Sequence, residues 1–258
     1  MDVTDKRILF SILKDGRISQ RKIAMDVGIS AQALNYRLSR LIEDGIIRGF
    51  TLHVSPRING YLEAFAAFRT EKDYDGDVIS RIKCLEEISL YGFSGKDQAD
   101  IDRKLGNAVS KLGSPVMQYV PAMAPLGMNI NSTDLEIINI LKTDPRMSVT
   151  DISSQLDIPY MTVKRRLNLL MKNHIIGVIT ELDLSGGDIV LYSIFSTSVD
   201  RAREILAPQT IFSISDSRAG VYTCFSESLS NARGSISRIR EVDSSANVMI
   251  LYDYKFYS

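Results

Sequence analysis

Apolar and polar positions alternate along this chain with two periods, and the change from one to the other recurs. Ile8, Leu9, Ile12 and Leu13 share one face of a first helix that Thr4 can cap and that ends at Asp15-Gly16. Ile23, Ala24 and Val27 mark a second helix, capped by Ser19. Gly28 turns the chain, and Ser30 caps a third helix with Leu34, Leu38 and Leu41 at i, i+4 and i+7. Past Ile46-Ile47 the period shortens to two: Phe50, Leu52 and Val54 alternate with Thr51 and His53, as in a strand. Helix, tight turn, helix and strand make a winged helix-turn-helix.

Beyond Pro56 the pattern predicts a strand over 61–69, a helix over 75–87 through Val78, Ile79, Ile82 and Leu85, and a strand over 88–93. A helix over 102–112 and a strand over 115–120 follow. This is the outline of an α/β sandwich of the ferredoxin type. Between Gly95 and Ser114 there is little room for a strand and a full helix, which predicts that this first α/β module lacks a strand.

The uncharged stretch 121–131, with Pro121, Pro125 and Gly127, marks a boundary. Thr133-Asp134-Leu135-Glu136 then has the form of a capping box and opens a helix with Ile137, Ile138 and Leu141. From there the first segment repeats at an offset of 129. Arg17 meets Arg146, Ser19 meets Ser148, Ile23 meets Ile152, Leu34 meets Val163, Arg37 meets Arg166, Leu38 meets Leu167, and Ile46-Ile47 meet Ile175-Ile176. Such a long period means a duplicated domain. After Gly186-Gly187 come a strand over 189–196, a short helix over 201–206, a hairpin over 210–215 and 221–226, a helix over 228–242 and a strand over 248–256. The expected organisation is a winged helix-turn-helix domain over 1–55, an α/β domain over 56–122, a linker over 123–132, a second winged domain over 133–184 and a second α/β domain over 185–258.

The chain has 258 residues, enough for two ordinary domains or four small modules. Apolar runs are short and the N-terminus has no signal-peptide pattern, so a soluble cytoplasmic protein without membrane association is expected. Cys84 and Cys224 lie far apart in apolar surroundings and read as buried thiols. His53 and His174 are the only histidines and belong to no metal-ligand cluster, so neither metal nor cofactor is expected. Formal net charge is zero, but residues 1–55 carry nine basic side chains against six acidic ones and residues 134–180 six against five. Residues 181–258 carry seven against ten. The positive excess lies in the helix-turn-helix segments.

The sequence resembles the Lrp/AsnC, or feast/famine, family of transcription regulators. The first unit carries the resemblance through Asp5, Ile8-Leu9, Leu13, Asp15-Gly16-Arg17-Ile18-Ser19, Ile23-Ala24, Val27-Gly28-Ile29-Ser30, Arg37-Leu38, Leu41 and Gly45-Ile46-Ile47-Arg48-Gly49-Phe50. The second carries it more loosely, through Asp144-Pro145-Arg146-Met147-Ser148, Ile152, Ile158, Thr162-Val163, Arg165-Arg166-Leu167, Leu170 and Ile175-Ile176. The resemblance implies an α+β chain: two winged helix-turn-helix domains alternating with two ferredoxin-like α/β (RAM-type) domains. A typical member has one such unit; this chain has two in tandem. It also implies double-stranded DNA as partner, self-association through the α/β domains, and an amino-acid effector near a glycine and an aspartate between the second and third strands. Ser94-Gly95-Lys96-Asp97 resembles that loop; Asp216 and Gly220 in the second module match it less well.

The residues themselves offer candidates for reading DNA. In the first unit Gln32, Ala33, Asn35 and Tyr36 lie on the outer side of the third helix. Amides pair bidentately with adenine, and a methyl group suits thymine. Ser30, Arg37, Arg40 and Arg48 suit phosphates. Arg37 could instead tie the helix to Asp26 or Glu43, and Tyr36 could pack on the first helix. In the second unit Thr162, Lys164, Arg165, Arg166 and Lys172 lie outside Val163, Leu167 and Leu170, and Pro159 replaces the capping Ser30. The acidic Glu181 and Asp183 make its following strand unsuited to a phosphate backbone. Since the two helices differ, one chain is expected to act as a covalent pseudo-dimer on an asymmetric operator. A non-enzyme is expected, because no Ser/His/Asp set, glycine-rich phosphate loop or HExxH is present. Two alternatives stand beside this. One is a protein-binding scaffold that has lost DNA binding. The other is a tetrapyrrole enzyme resembling the sirohaem decarboxylases, whose chemistry relies on histidines in the α/β domain, where neither His53 nor His174 falls.

Overall fold

A computed structural model describes residues 1–122, 126–185 and 188–257. Met123, Ala124 and Pro125 of the expected linker, and Gly186-Gly187, lie outside the described residues. The first helix-turn-helix unit comprises α1 (Val3–Lys14), α2 (Gln20–Val27) and α3 (Ala31–Glu43), followed by β1 (Ile47–Val54). Ser19 and Ser30 cap α2 and α3 as expected, and Gly28 ends α2 in the left-handed conformation that glycine adopts at least cost. The cap of α1 is Asp2 and not Thr4, because Asp2 and Asp5 form a reciprocal box. The second unit repeats this: α5 (Ser132–Thr143), α6 (Val149–Leu156), α7 (Tyr160–Lys172) and β6 (Ile176–Leu182). Its box is Asn131 with Asp134, two residues before Thr133 and at the same offset of 129 from Asp2 and Asp5.

The two units share their strands. Among the described residues β1 and β6 pair only with each other, antiparallel, with Thr51 opposite Ile179 and Leu52 opposite Val178. Leu52, from the first unit, is buried in the core of the second beside Ile137, Leu141 and Leu170. Leu182, from the second, is buried in the core of the first beside Ile8, Leu9 and Leu38. The buried Thr180 hydroxyl donates to the Ile12 carbonyl of the first unit at 2.7 Å. At the same junction Arg17 donates to the carbonyls of Pro145 at 2.5 Å and Met147 at 2.6 Å, and the Arg146 guanidinium lies 4.5 Å from the Phe50 ring centre. A methyl group on Gly16 would collide with the Val178 carbonyl, so this crossing excludes a side chain there. The strands therefore form a ribbon between the units and not two separate wings.

Below the ribbon lies one sheet of eight strands. The first module supplies β2 (Leu62–Arg69), β3 (Ser80–Cys84), β4 (Ile88–Gly95), α4 (Gln98–Leu112) and β5 (Pro115–Tyr119). The second supplies β7 (Val190–Ser196), α8 (Val199–Leu206), β8 (Thr210–Ser215), β9 (Gly220–Ser226), α9 (Leu229–Val242) and β10 (Asn247–Phe256). The order β5-β2-β4-β3-β10-β7-β9-β8 places two modules of the same topology side by side, joined where β3 meets β10. The sheet curls so that its other ends meet. The Tyr119 hydroxyl donates to the Ala219 carbonyl at 3.0 Å, and Arg218 donates to that of Val120 at 2.9 Å. Both modules thus pair within one chain.

The helix expected over 75–87 does not form; the first module keeps all four strands, with α4 fitting between Gly95 and Ser114, and among the described residues it is the helix between β2 and β3 that is missing, not a strand. β3 occupies part of that stretch because β4 and β10 both offer it ladder partners: Ile82 lies opposite Leu90 on one side and Tyr254 on the other. Leu85, placed on the apolar face of the expected helix, is exposed instead. An acidic strap fills the space a helix would cover. Tyr74 packs on Tyr91 and Phe93, while Asp73 pairs with Lys83, Asp75 with Lys111 and Asp77 with Lys104. Gly76 is required beside Tyr74, whose ring a methyl group would strike. Cys84 and Cys224 are free and buried, as expected, and burial pushes their thiols up to about 12 and about 11.

The ribbon is bolted to the sheet. The Tyr254 hydroxyl of β10 donates to the Thr180 carbonyl at 2.6 Å and accepts from the Leu182 amide at 3.0 Å. His53 meets Phe256 edge-on at 6.1 Å. Desolvation there pushes the His53 imidazole down to about 4, so the folded chain holds it neutral. A depressed histidine contributes nothing adverse above about pH 6.5, the ordinary imidazole value, and costs stability progressively as pH falls from there towards 4. The expected outcome is a fall in wild-type Tm over that interval that is steeper than in His53→Phe. Parallel Tm profiles in the two proteins would contradict it.

Candidate nucleic-acid interface

Each helix-turn-helix unit presents one helix outward, and equivalent arginines set its position. In the first unit Arg37 donates to Asp5 at 2.7 Å and Asp2 at 2.8 Å, reaching back from α3 to the start of α1. In the second, Arg166 makes a bidentate pair with the fully buried Asp134, through Nε at 2.7 Å and through Nη2, which also donates to the Asn129 carbonyl at 3.1 Å. Hydrogen bonds donated to the aspartates raise both guanidiniums above their ordinary value. Arg37 and Arg166 are therefore positioning residues that clamp α3 and α7 to α1 and α5. Both are expected above as DNA contacts, and in the folded chain their guanidiniums are held by carboxylates. Asp2 and Asp5 serve where Asp26 or Glu43 was considered, and Asp26 pairs instead with Lys22. The repeat carried the signal, since Asp5 meets Asp134 at the offset that matches the arginines.

With those arginines engaged, the outer faces differ. On α3 Gln32, Asn35 and Arg40 are exposed and Ala33 half-exposed, and Tyr36 keeps 65% of its surface, so it does not pack on the first helix. Ser30 is exposed, and its hydroxyl accepts the Ala33 amide. Arg40 has one weak partner, Asp44 at 3.7 Å. Arg48 lies in the ribbon, paired with Asp183 at 2.8 Å. That arginine and neighbouring hydrogen bonds from Ser185 pull the Asp183 carboxyl down, the Ser185 side chain most, to about 2. On α7 Lys164 and Arg165 are exposed and Thr162 half-exposed; Lys164 also lies 5.8 Å from the Tyr160 ring centre. Met161, Asn168 and Leu169 complete a shallow groove with them and Lys172. Met161 and Asn168 are part of this face too, although neither carries a charge that would single it out in the sequence. α7 starts at Pro159 with no side-chain cap.

The effector candidates occupy structural positions. Gly95 packs against Ile101, and the Asp97 side chain caps α4 by accepting the Asp100 amide. Asp216 accepts from Arg218 and from the Ala122 amide at 3.0 Å, which latches the β8–β9 turn to the first module. The same hydrogen bonds hold its carboxyl far below the usual range. Gly220 fits close to Tyr222 and Ser215.

Residues 1–48 and 130–176 both match a family model described as winged helix-turn-helix DNA-binding. The chain is 30% identical over 135 residues to the HTH-type transcriptional regulator LrpA of Pyrococcus horikoshii, covering 48% of this chain and 95% of that protein. It is 29% identical over 122 residues to the HTH-type transcriptional regulator FL11 of Pyrococcus furiosus, covering 44% of this chain and 81% of that one. Among solved structures, the siroheme decarboxylase NirDL aligns over 99% of this chain and 94% of its own, at 14% identity and a TM-score of 0.46.

Removing Arg166 would leave the buried Asp134 without its counter-charge, whereas Asp2 and Asp5 beside Arg37 can be solvated. Urea unfolding is expected to show a loss of about 2–3 kcal/mol for Arg166→Ala and about 1 kcal/mol or less for Arg37→Ala. Equal losses would show that the two clamps are not distinguished by burial.

Proposed function

From the premise that the chain belongs to the Lrp/AsnC family of transcription regulators, we propose that it binds double-stranded DNA sequence-specifically as a covalent pseudo-dimer. One observation carries this reading: β1 and β6 pair with each other and are shared by the two helix-turn-helix cores, which ties two outward-facing helices together within one chain. In a dimeric reader two identical helices contact two matching half-sites. Here α3 and α7 supply both contacts, and the operator need not be palindromic. Arg40, Lys164 and Arg165 meet phosphates or base edges, with Ser30 and the start of α3 on the backbone. The ribbon carries Glu181 and the Arg48–Asp183 pair and stays off the phosphates. Further self-association is served by Val116 and Phe212, exposed on the two outermost strands.

No enzymatic role is proposed. His53 is committed to the packing of the ribbon on β10, and His174 is an exposed residue at the end of α7.

The test is selection of binding sites from a random duplex pool, followed by the salt dependence of affinity for the best site. An enriched site is expected, and the slope of log K against log salt should shallow by about 1 for Arg40→Ala and by at least about 1 for Lys164→Ala/Arg165→Ala. A pool without enrichment would contradict specific recognition. A slope unchanged in the double variant would contradict the second reader.

A further inference from the structure

The two recognition helices are built to the same plan and present opposite chemistry. The residues of α3 and α7 correspond at an offset of 129, and Arg37 and Arg166 are both spent on the clamps. What is left on the outer face of the first turns is Gln32, Asn35 and Tyr36 on α3, all uncharged and exposed. At the equivalent positions α7 has Met161, Lys164 and Arg165. These turns of a recognition helix are the ones that meet base edges. An amide matches the adjacent acceptor and donor of adenine, and a methyl such as that of Ala33 matches thymine. A guanidinium matches the two acceptors of guanine. Arg165 is exposed and has no ion pair among the described residues, so it is not already engaged.

We propose that the two helices read different bases: α3 takes an A·T half-site through Gln32 and Asn35, and α7 takes a half-site in which guanine meets Arg165. The operator is then asymmetric in composition as well as in sequence, and the protein binds it in a single orientation. This assignment rests on the reading that both helices contact DNA.

The full chain and its Gln32→Ala and Arg165→Ala variants would be measured by fluorescence anisotropy on the selected duplex and on versions with each base pair changed in turn. Both side chains are exposed, so circular dichroism and Tm should match wild type. In the wild type, replacing the guanine of one half is expected to weaken binding about 10-fold or more. In Arg165→Ala the same replacement should matter less than about 3-fold, while discrimination in the other half persists. Gln32→Ala should flatten the A·T half and leave the guanine preference intact. Two halves of the same composition would overturn the assignment and leave DNA recognition standing. So would an Arg165→Ala variant that loses affinity equally on every duplex, because that behaviour belongs to a phosphate contact. A pool with no enriched site would overturn the underlying reading, and this assignment with it.

Discussion

The pairing of β1 with β6, each shared by both helix-turn-helix cores, is the constraint on which the rest depends. Leu52 completes the core of the second helix-turn-helix unit, and Leu182 that of the first, so neither unit closes its own core. Burying a leucine side chain is worth about 1.5–3 kcal/mol, and each core has that amount placed in the other's strand. The Thr180–Ile12 hydrogen bond and the Arg17 contacts to Pro145 and Met147 add directional links across the same junction. Because both strands belong to one chain, the pairing is intramolecular and does not weaken on dilution. The relative position of α3 and α7 is a consequence of that ribbon.

The pseudo-symmetry of the ribbon is broken by what supports it. Ile189, Leu191 and Phe225 of the second module, with Met249 and Leu251, share one apolar cluster with Ile8, Leu9 and Ile12 of α1. Phe10 stacks near Phe225 at 5.3 Å, and the Lys6 ammonium reaches Asp188 at 2.9 Å and the Glu227 carbonyl at 2.7 Å. The first unit is thus continuous with the sheet. The cluster of the second unit is closed instead by Leu126, Met128, Ile130 and Ile58, outside the sheet. The helices α3 and α7 consequently differ in mounting as well as in outer face. Alternation along β7 makes this possible: Ile189 and Leu191 face α1, while Val190, Tyr192 and Ile194 face α8 and α9.

Much of this was legible because it is local. The α2–α3 turn is written in Ser19, Gly28 and Ser30, and the second module in its period-two strands. The failures fall where distant partners decide. Val78, Ile79, Ile82 and Leu85 keep a helical spacing, yet two neighbouring strands with unsatisfied backbone groups recruit Ser80–Cys84 into the ladder. The cap of α5 is Asn131 because it forms a reciprocal box with Asp134, a carboxylate that also receives Arg166. Outer-face residues such as Gln32 and Lys164 followed from the spacing of Leu34, Leu38, Val163 and Leu167. The fate of Arg37 and Arg166 did not, because their aspartate partners lie 32 or 35 residues upstream.

The most direct measurement on the pseudo-dimer is a stoichiometric titration of a selected duplex, containing both half-sites, with the full chain at concentrations well above Kd. One chain carrying two linked readers saturates the duplex at one chain per duplex, and hydroxyl-radical protection then covers both halves together. A break at two chains per duplex, with each chain protecting one half, would contradict the account.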